Sequence, residues 1–149
     1  LDRYRPAVEK LIAKYEIKVT IISGQSQIAI SASDLVLSKS GTVNLETALL
    51  NVPQVILYRV SAITAWIARH IIRLKLPFIS PVNLVDMKAV VPEFVQNDAT
   101  PEAIAAKALD LLTNPQARQT MLDGYADVRK SLGEKGAINR VADSIIDYL

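Results

Sequence analysis

Short, continuously apolar runs alternate along this chain with stretches in which apolar residues recur every three or four positions. Val8, Leu11, Ile12 and Tyr15 have the helical spacing and follow Pro6, so residues 5–15 read as an amphipathic helix. KVTIIS, from Lys18 to Ser23, is β-branched and ends at Gly24, which predicts a strand. Residues 25–32 predict a short helix, DLVLS after Ser33 a strand, and residues 43–50 a helix that stops at Asn51-Val52-Pro53. QVILYR, from Gln54 to Arg59, predicts another strand. Residues 61–76 predict a longer helix, with Ile63, Ile67, Ile71 and Leu74 on one stripe and Pro77 as its stop. FIS and AVVPEFV predict two further extended pieces, with PVNLVDMK as the loop between them. Beyond Asn97 the pattern is helical, with starts at Thr100-Pro101 and Asn114-Pro115 and a break at Gly133 or Gly136 before a last helix. The alternation predicts an α/β fold: a Rossmann-like parallel sheet with helices on both faces and a helical C-terminus.

Composition narrows the picture. At 149 residues, half of them hydrophobic, the chain has the size of one domain over residues 1–149 and can bury its own core. It begins without methionine inside a predicted helix, so a fragment of a longer chain is expected. No cysteine is present, which removes disulfides, cysteine-zinc sites and thiol nucleophiles. A formal net charge of +2 makes no electrostatic case for nucleic acid. No apolar run is long enough to span a bilayer, and LDRYRPAVEK has no signal-peptide pattern.

The candidate chemistry lies at Ser38-Lys39-Ser40-Gly41-Thr42, between a predicted strand and a predicted helix. In an open parallel sheet, ligands bind at the carboxyl ends of the strands. Free N–H groups of a first helical turn favour a phosphate, Gly41 permits close backbone approach, and the hydroxyls of Ser40 and Thr42 can donate. An ordinary capped turn would use the same residue types. Glu46 stands four residues after Thr42 rather than the three of a capping box, and a carboxylate there can accept from the two hydroxyls of a ribose.

The ordered set Ala32-Ser33-Asp34, Ser40-Gly41-Thr42, Leu45-Glu46, Tyr58-Arg59, Asn83-Leu84 and Glu93-x-x-Gln96 resembles the carboxyl-terminal half of the lipid-A-disaccharide synthase family. These are glycosyltransferases of two Rossmann domains, the GT-B architecture, that use a UDP-sugar. The resemblance runs from about Ile28 to Ile104. It implies that this half binds the UDP-sugar donor, with Ser40, Gly41 and Thr42 on the diphosphate and Glu46 on the ribose. Tyr58, Arg59, Asn83 and Gln96 would line the same crevice. It also implies that the catalytic base and acceptor site belong to an amino-terminal domain, and that the enzyme sits in the cytoplasm on the inner membrane, or in an organelle in a photosynthetic eukaryote. No cofactor is expected, and with a single histidine and no Asp-x-Asp no metal is expected either. A homodimer is a further expected partner arrangement. Pro81-Val82-Asn83-Leu84 departs from the family's Leu-Pro-Asn-Leu, and Met87 stands where glycine is usual.

On the predicted helix 61–76, Trp66, Arg69, His70 and Arg73 share one face, which suits a membrane interface as well as a solvated basic face. Two other readings compete: another UDP-sugar transferase or epimerase of this architecture, and a non-catalytic membrane or assembly module with a vestigial nucleotide crevice.

Overall fold

The computed structural model describes residues 2–61, 77–134 and 136–148. The predicted helix 61–76, with Trp66, Arg69, His70 and Arg73, lies outside the described residues apart from its first position.

Three strands form a parallel sheet in the order β1 (Val36–Lys39), β2 (Gln54–Tyr58), β3 (Glu93–Val95). Val36 is paired with Gln54 and Lys39 with Leu57, while Tyr58 is paired with Val95, so the three carboxyl ends align along one edge. Central β2 is closed in on both faces: Gln54, Val55 and Ile56 are fully buried, as its continuous apolar run requires. Edge strand β1 alternates instead, with Val36 and Ser38 half-buried and Leu37 and Lys39 exposed.

Helices flank the sheet. α1 (Arg5–Tyr15), α2 (Ser26–Ser31) and α3 (Val43–Leu49) match the sequence pattern closely. α4 (Pro81–Asp86) does not: the segment read as a loop is a helix, started by Ser80, whose hydroxyl oxygen accepts from the Val82 N–H, and by Pro81 in the first turn. Ser80 thus repeats the device of Thr100 and Asn114, which cap α5 (Pro101–Thr113) and α6 (Pro115–Leu132) as expected. α7 (Ala137–Ile146) follows the break at Gly133 and Gly136. Of the predicted extended pieces, residues 78–80 form no strand and the second contributes only β3.

The predicted strand over 18–23 is also absent. Its residues are exposed, Ile22 by more than half, and no ladder engages its backbone. β-branched composition favours a pleated, packed surface, and without a neighbour this segment has none to join. α1 beside it buries no residue.

The core is made where α6 packs with α3, α4 and α5 beside the central strand. Met121, Tyr125 and Val128, at helical spacing, bury against Val55, Ile56, Val82, Val91, Leu111 and Ala48. Each such side chain contributes on the order of 1.5–3 kcal/mol by leaving water. Gly124 lies on the same helix because of Val90: a Cβ at position 124 would stand 2.7 Å from the Val90 Cγ1. Arg129 of α6 reaches back to α3, donating to the Ala48 carbonyl and to Asn51 Oδ1 where that helix ends.

Candidate functional site

The turn Ser40-Gly41-Thr42 leaves β1 at the carboxyl edge of the sheet. The Ser40 N–H still belongs to the sheet, donating to the Leu57 carbonyl at 3.3 Å, and the next residues start α3. Gly41 N–H is taken by Asn44 Oδ1 at 2.8 Å. The N–H groups of Thr42 and Val43 make no hydrogen bond among the described residues, so two amides at this helix start remain available. Thr42 takes helical dihedral angles and its hydroxyl caps nothing, in keeping with the irregular spacing to Glu46.

Glu46 sits one turn further along, half-buried, on the side of α3 away from the buried stripe Asn44-Thr47-Ala48. Its carboxylate has no hydrogen bond or ion pair among the described residues. A carboxylate in the first turn also offsets the positive helix end, by about 0.3–1 kcal/mol.

Tyr58 closes β2 and Arg59 follows it, exposed and without a partner among the described residues. The Lys39 ammonium stands 5.3 Å from the centre of the Tyr58 ring. Because Lys39 and Leu57 are paired, Lys39, Tyr58, Arg59 and the turn all lie at the same edge. Two cations thus lie at the same strand-end edge as two available amides, a set of groups that suits a polyanion.

The remaining sequence-derived residues hold the backbone around this edge. Ser40 Oγ donates its proton to the Ile79 carbonyl at 2.6 Å, which ties the turn to the start of α4 and commits the proton that the sequence reading offers to a ligand. Asn83, almost fully buried, spends both ends of its amide internally: Oδ1 accepts from the Val90 and Val91 N–H groups, and Nδ2 donates to the Val91 carbonyl and to Glu93 Oε1. Glu93 also accepts from the Ile79 and Ser80 N–H groups at 2.8 and 2.9 Å. Gln96, in left-handed conformation at φ 53°, grips Val60 from both sides, accepting from its N–H and donating to its carbonyl. The structure therefore brings Ser40, Gly41, Thr42, Glu46, Tyr58 and Arg59 to one edge, and uses Asn83 and Gln96 as clamps beneath and beside it.

Sequence reading misses Asn44. Fully buried, it donates from Nδ2 to Ser38 Oγ at 2.8 Å and to the Lys39 carbonyl at 3.3 Å while Oδ1 holds Gly41 N–H. Its own carbonyl accepts from Gln54 Nε2, which also donates to the Tyr125 hydroxyl. Burial pushes the Tyr125 phenol well above its usual range, partly offset by the Gln54 contact. The only sequence signal was an asparagine three residues after a glycine at a helix start. Among the described residues no group of three or more acidic, histidine or cysteine side chains could hold a metal ion, and no helix is long and apolar enough to cross a membrane.

Comparison with known proteins agrees with the motif pattern and extends it over the flanking helices. The family model described as lipid-A-disaccharide synthetase matches residues 1–144. A lipid-A-disaccharide synthase of Gloeothece citriformis is 51% identical over 149 residues, covering 100% of this chain and 39% of the relative. Its counterpart from Synechocystis sp. is 43% identical, covering 99% of this chain and 38% of the relative. A more distant one from Pseudomonas savastanoi is 37% identical over 97% of this chain. The chain thus spans about two fifths of the length of the curated relatives it matches. With a model matched from the first residue to the last helix, the chain belongs to the lipid-A-disaccharide synthetase family.

Proposed function

We propose that this chain is the donor-binding half of a glycosyltransferase that moves 2,3-diacylglucosamine from UDP to 2,3-diacylglucosamine 1-phosphate and releases UDP. The observation that carries the reading is the pair of available amides at Thr42 and Val43, set on the carboxyl edge of a parallel sheet in a chain of this family. The diphosphate lies against these amides, with Lys39 or Arg59 offsetting its charge, and Glu46 accepts from the ribose hydroxyls. As the glycosidic bond to the donor phosphate breaks, negative charge grows on the departing diphosphate. Amides and a helix end already aimed at it lower that barrier without reorganising. The base that activates the acceptor, and the acceptor site, belong to the part of the protein outside this chain. Trp66, Arg69 and Arg73 meet the membrane surface that holds the acylated substrates, a role supported by sequence alone.

Calorimetric titration of the full-length protein with UDP, ADP and pyrophosphate tests the donor site. UDP is expected to bind best, and Glu46→Ala to weaken UDP by tenfold or more while leaving pyrophosphate within twofold. Equal losses for both ligands would remove Glu46 from the ribose, and no UDP binding by the unaltered protein would overturn the reading.

A further inference from the structure

Ser38 and Lys39 at the end of β1 and Gly41 in the donor turn are held by one fully buried side chain. We propose that Asn44 is a positioning residue for the diphosphate: it fixes the path of the chain from Ser38 to Gly41 so that the Thr42 and Val43 amides are already aimed before the nucleotide arrives. The inference rests on the donor-site reading above and goes beyond it, because Asn44 itself touches no ligand.

The geometry is specific. Asn44 Nδ2 binds Ser38 Oγ and the Lys39 carbonyl, on the strand side, while Oδ1 binds Gly41 N–H, on the helix side. A planar amide is the smallest side chain that donates twice and accepts once in one plane, and here all three contacts are made from a fully buried position. Alanine would free the Gly41 N–H and leave the Ser38 and Lys39 acceptors without that donor. The turn would then be held by Ser40, through the Ile79 and Leu57 carbonyls, and by the helix's own bonds to the Gly41 and Thr42 carbonyls, with no side chain left to tie its strand side to its helix side.

A second layer fixes Asn44. Gln54 Nε2 bonds the Asn44 carbonyl at 3.0 Å and the Tyr125 hydroxyl at 3.2 Å, and both partners are fully buried. Gln54 Oε1 has no partner among the described residues. A buried glutamine at the start of the central strand, with one oxygen left unsatisfied, costs stability that an apolar residue would not. What it supplies is a link from α6 through β2 to the donor turn.

The effect of losing such a hold is a misplacement of the amides by a fraction of an ångström to about one, which costs on the order of ten- to a hundredfold in binding or turnover. The loss falls on the phosphates. Asn44→Ala is therefore expected to weaken UDP and pyrophosphate by the same factor and to leave uridine, bound through Glu46, within twofold. This is the opposite split from Glu46→Ala, and a merely structural role would not produce it.

The experiment uses the full-length protein and three variants. Asn44→Ala carries the main prediction. Thr47→Val removes another fully buried polar group from the same helix, the hydroxyl that donates to the Val43 carbonyl, and serves as the control for lost stability. Ser38→Ala removes one of Asn44's partners at smaller cost and decides the matter if Asn44→Ala fails to fold; a severalfold loss of UDP is expected. UDP, pyrophosphate and uridine are titrated against each, and exchange of the Gly41 amide is followed by NMR, where Asn44→Ala is expected to accelerate it at least tenfold. UDP bound by the unaltered protein and within twofold as well by Asn44→Ala, or as weakly by Thr47→Val as by Asn44→Ala, overturns the inference alone. No UDP binding by the unaltered protein overturns the donor-site reading, and this inference with it.

Discussion

Replacing Glu93 with glutamine tests whether the candidate site rests on a carboxylate rather than on shape. Glu93 accepts three hydrogen bonds: Oε2 from the Ile79 N–H, and Oε1 from the Ser80 N–H and Asn83 Nδ2. Glutamine keeps the volume and one oxygen, which can retain the Ser80 and Asn83 bonds at about half their charge-assisted strength. Its amide NH2 then faces the Ile79 N–H, donor against donor. One charge-assisted bond is lost, worth about 1.5–3 kcal/mol, and two are weakened. Because Glu93 is half-buried rather than enclosed, the net expectation is about 3 kcal/mol. For a unit of this size that lowers the melting temperature by roughly 6–12 °C. Urea unfolding followed by far-UV circular dichroism measures it. Combining Glu93→Gln with Asn83→Ala should cost clearly less than the sum of the two, since both remove one network. A loss below about 1 kcal/mol, or simple additivity of the pair, would refute the network argument.

Tyr125 makes stability depend on alkaline pH. Its phenol ordinarily titrates near 10.0, and burial raises it in the folded protein. Its contribution is complete below pH 10 and is lost as pH rises above that value, because the unfolded chain releases a proton that the folded one keeps. The loss should be about 1.4 kcal/mol per pH unit, and Tyr125→Phe should remove that slope while costing about 1 kcal/mol at neutral pH; parallel pH profiles for the two proteins would contradict this. Met87 ends α4 at φ 52° with its side chain largely exposed, so Met87→Gly should relieve about 1–2 kcal/mol of left-handed strain against 0.5–1 kcal/mol of glycine entropy. A small gain in urea midpoint is expected, and a loss would mean that Met87 packs on something that its exposure hides.

Much of the fold was legible because its signals are local. Thr100-Pro101 and Asn114-Pro115 announce their helices through a cap and a fixed φ, and QVILY announces a central strand through unbroken apolarity. Ser80-Pro81 carries the same helix signal, but α4 is only six residues long, too short for its apolar spacing to stand out from a loop. KVTIIS misleads for the converse reason: strand propensity is realised only against a partner. At the candidate site, Ser40, Gly41, Thr42 and Glu46 were visible as a turn followed by an acid. The division of labour was not. Asn83, Gln96 and Glu93 were recognisable as polar residues in a motif, but their clamping role depends on backbone groups up to 36 residues away in sequence, as with Gln96 and Val60. Asn44 escaped because its role is to meet three atoms around a turn, a task that no sequence spacing encodes.

The contact between Gly124 and Val90 restricts how this protein can drift in sequence. A methyl group at 124 would stand 2.7 Å from a methyl of Val90, while a glycine in mid-helix forgoes about 1 kcal/mol of helix propensity relative to alanine. Neither position can be improved alone. Alanine becomes favourable at 124 only after residue 90 has shrunk, and a shrunken residue 90 leaves a void until 124 has grown. An evolving lineage must therefore cross a less stable intermediate to change either, and the two positions should be inherited as a pair: glycine with valine, or alanine with a smaller partner.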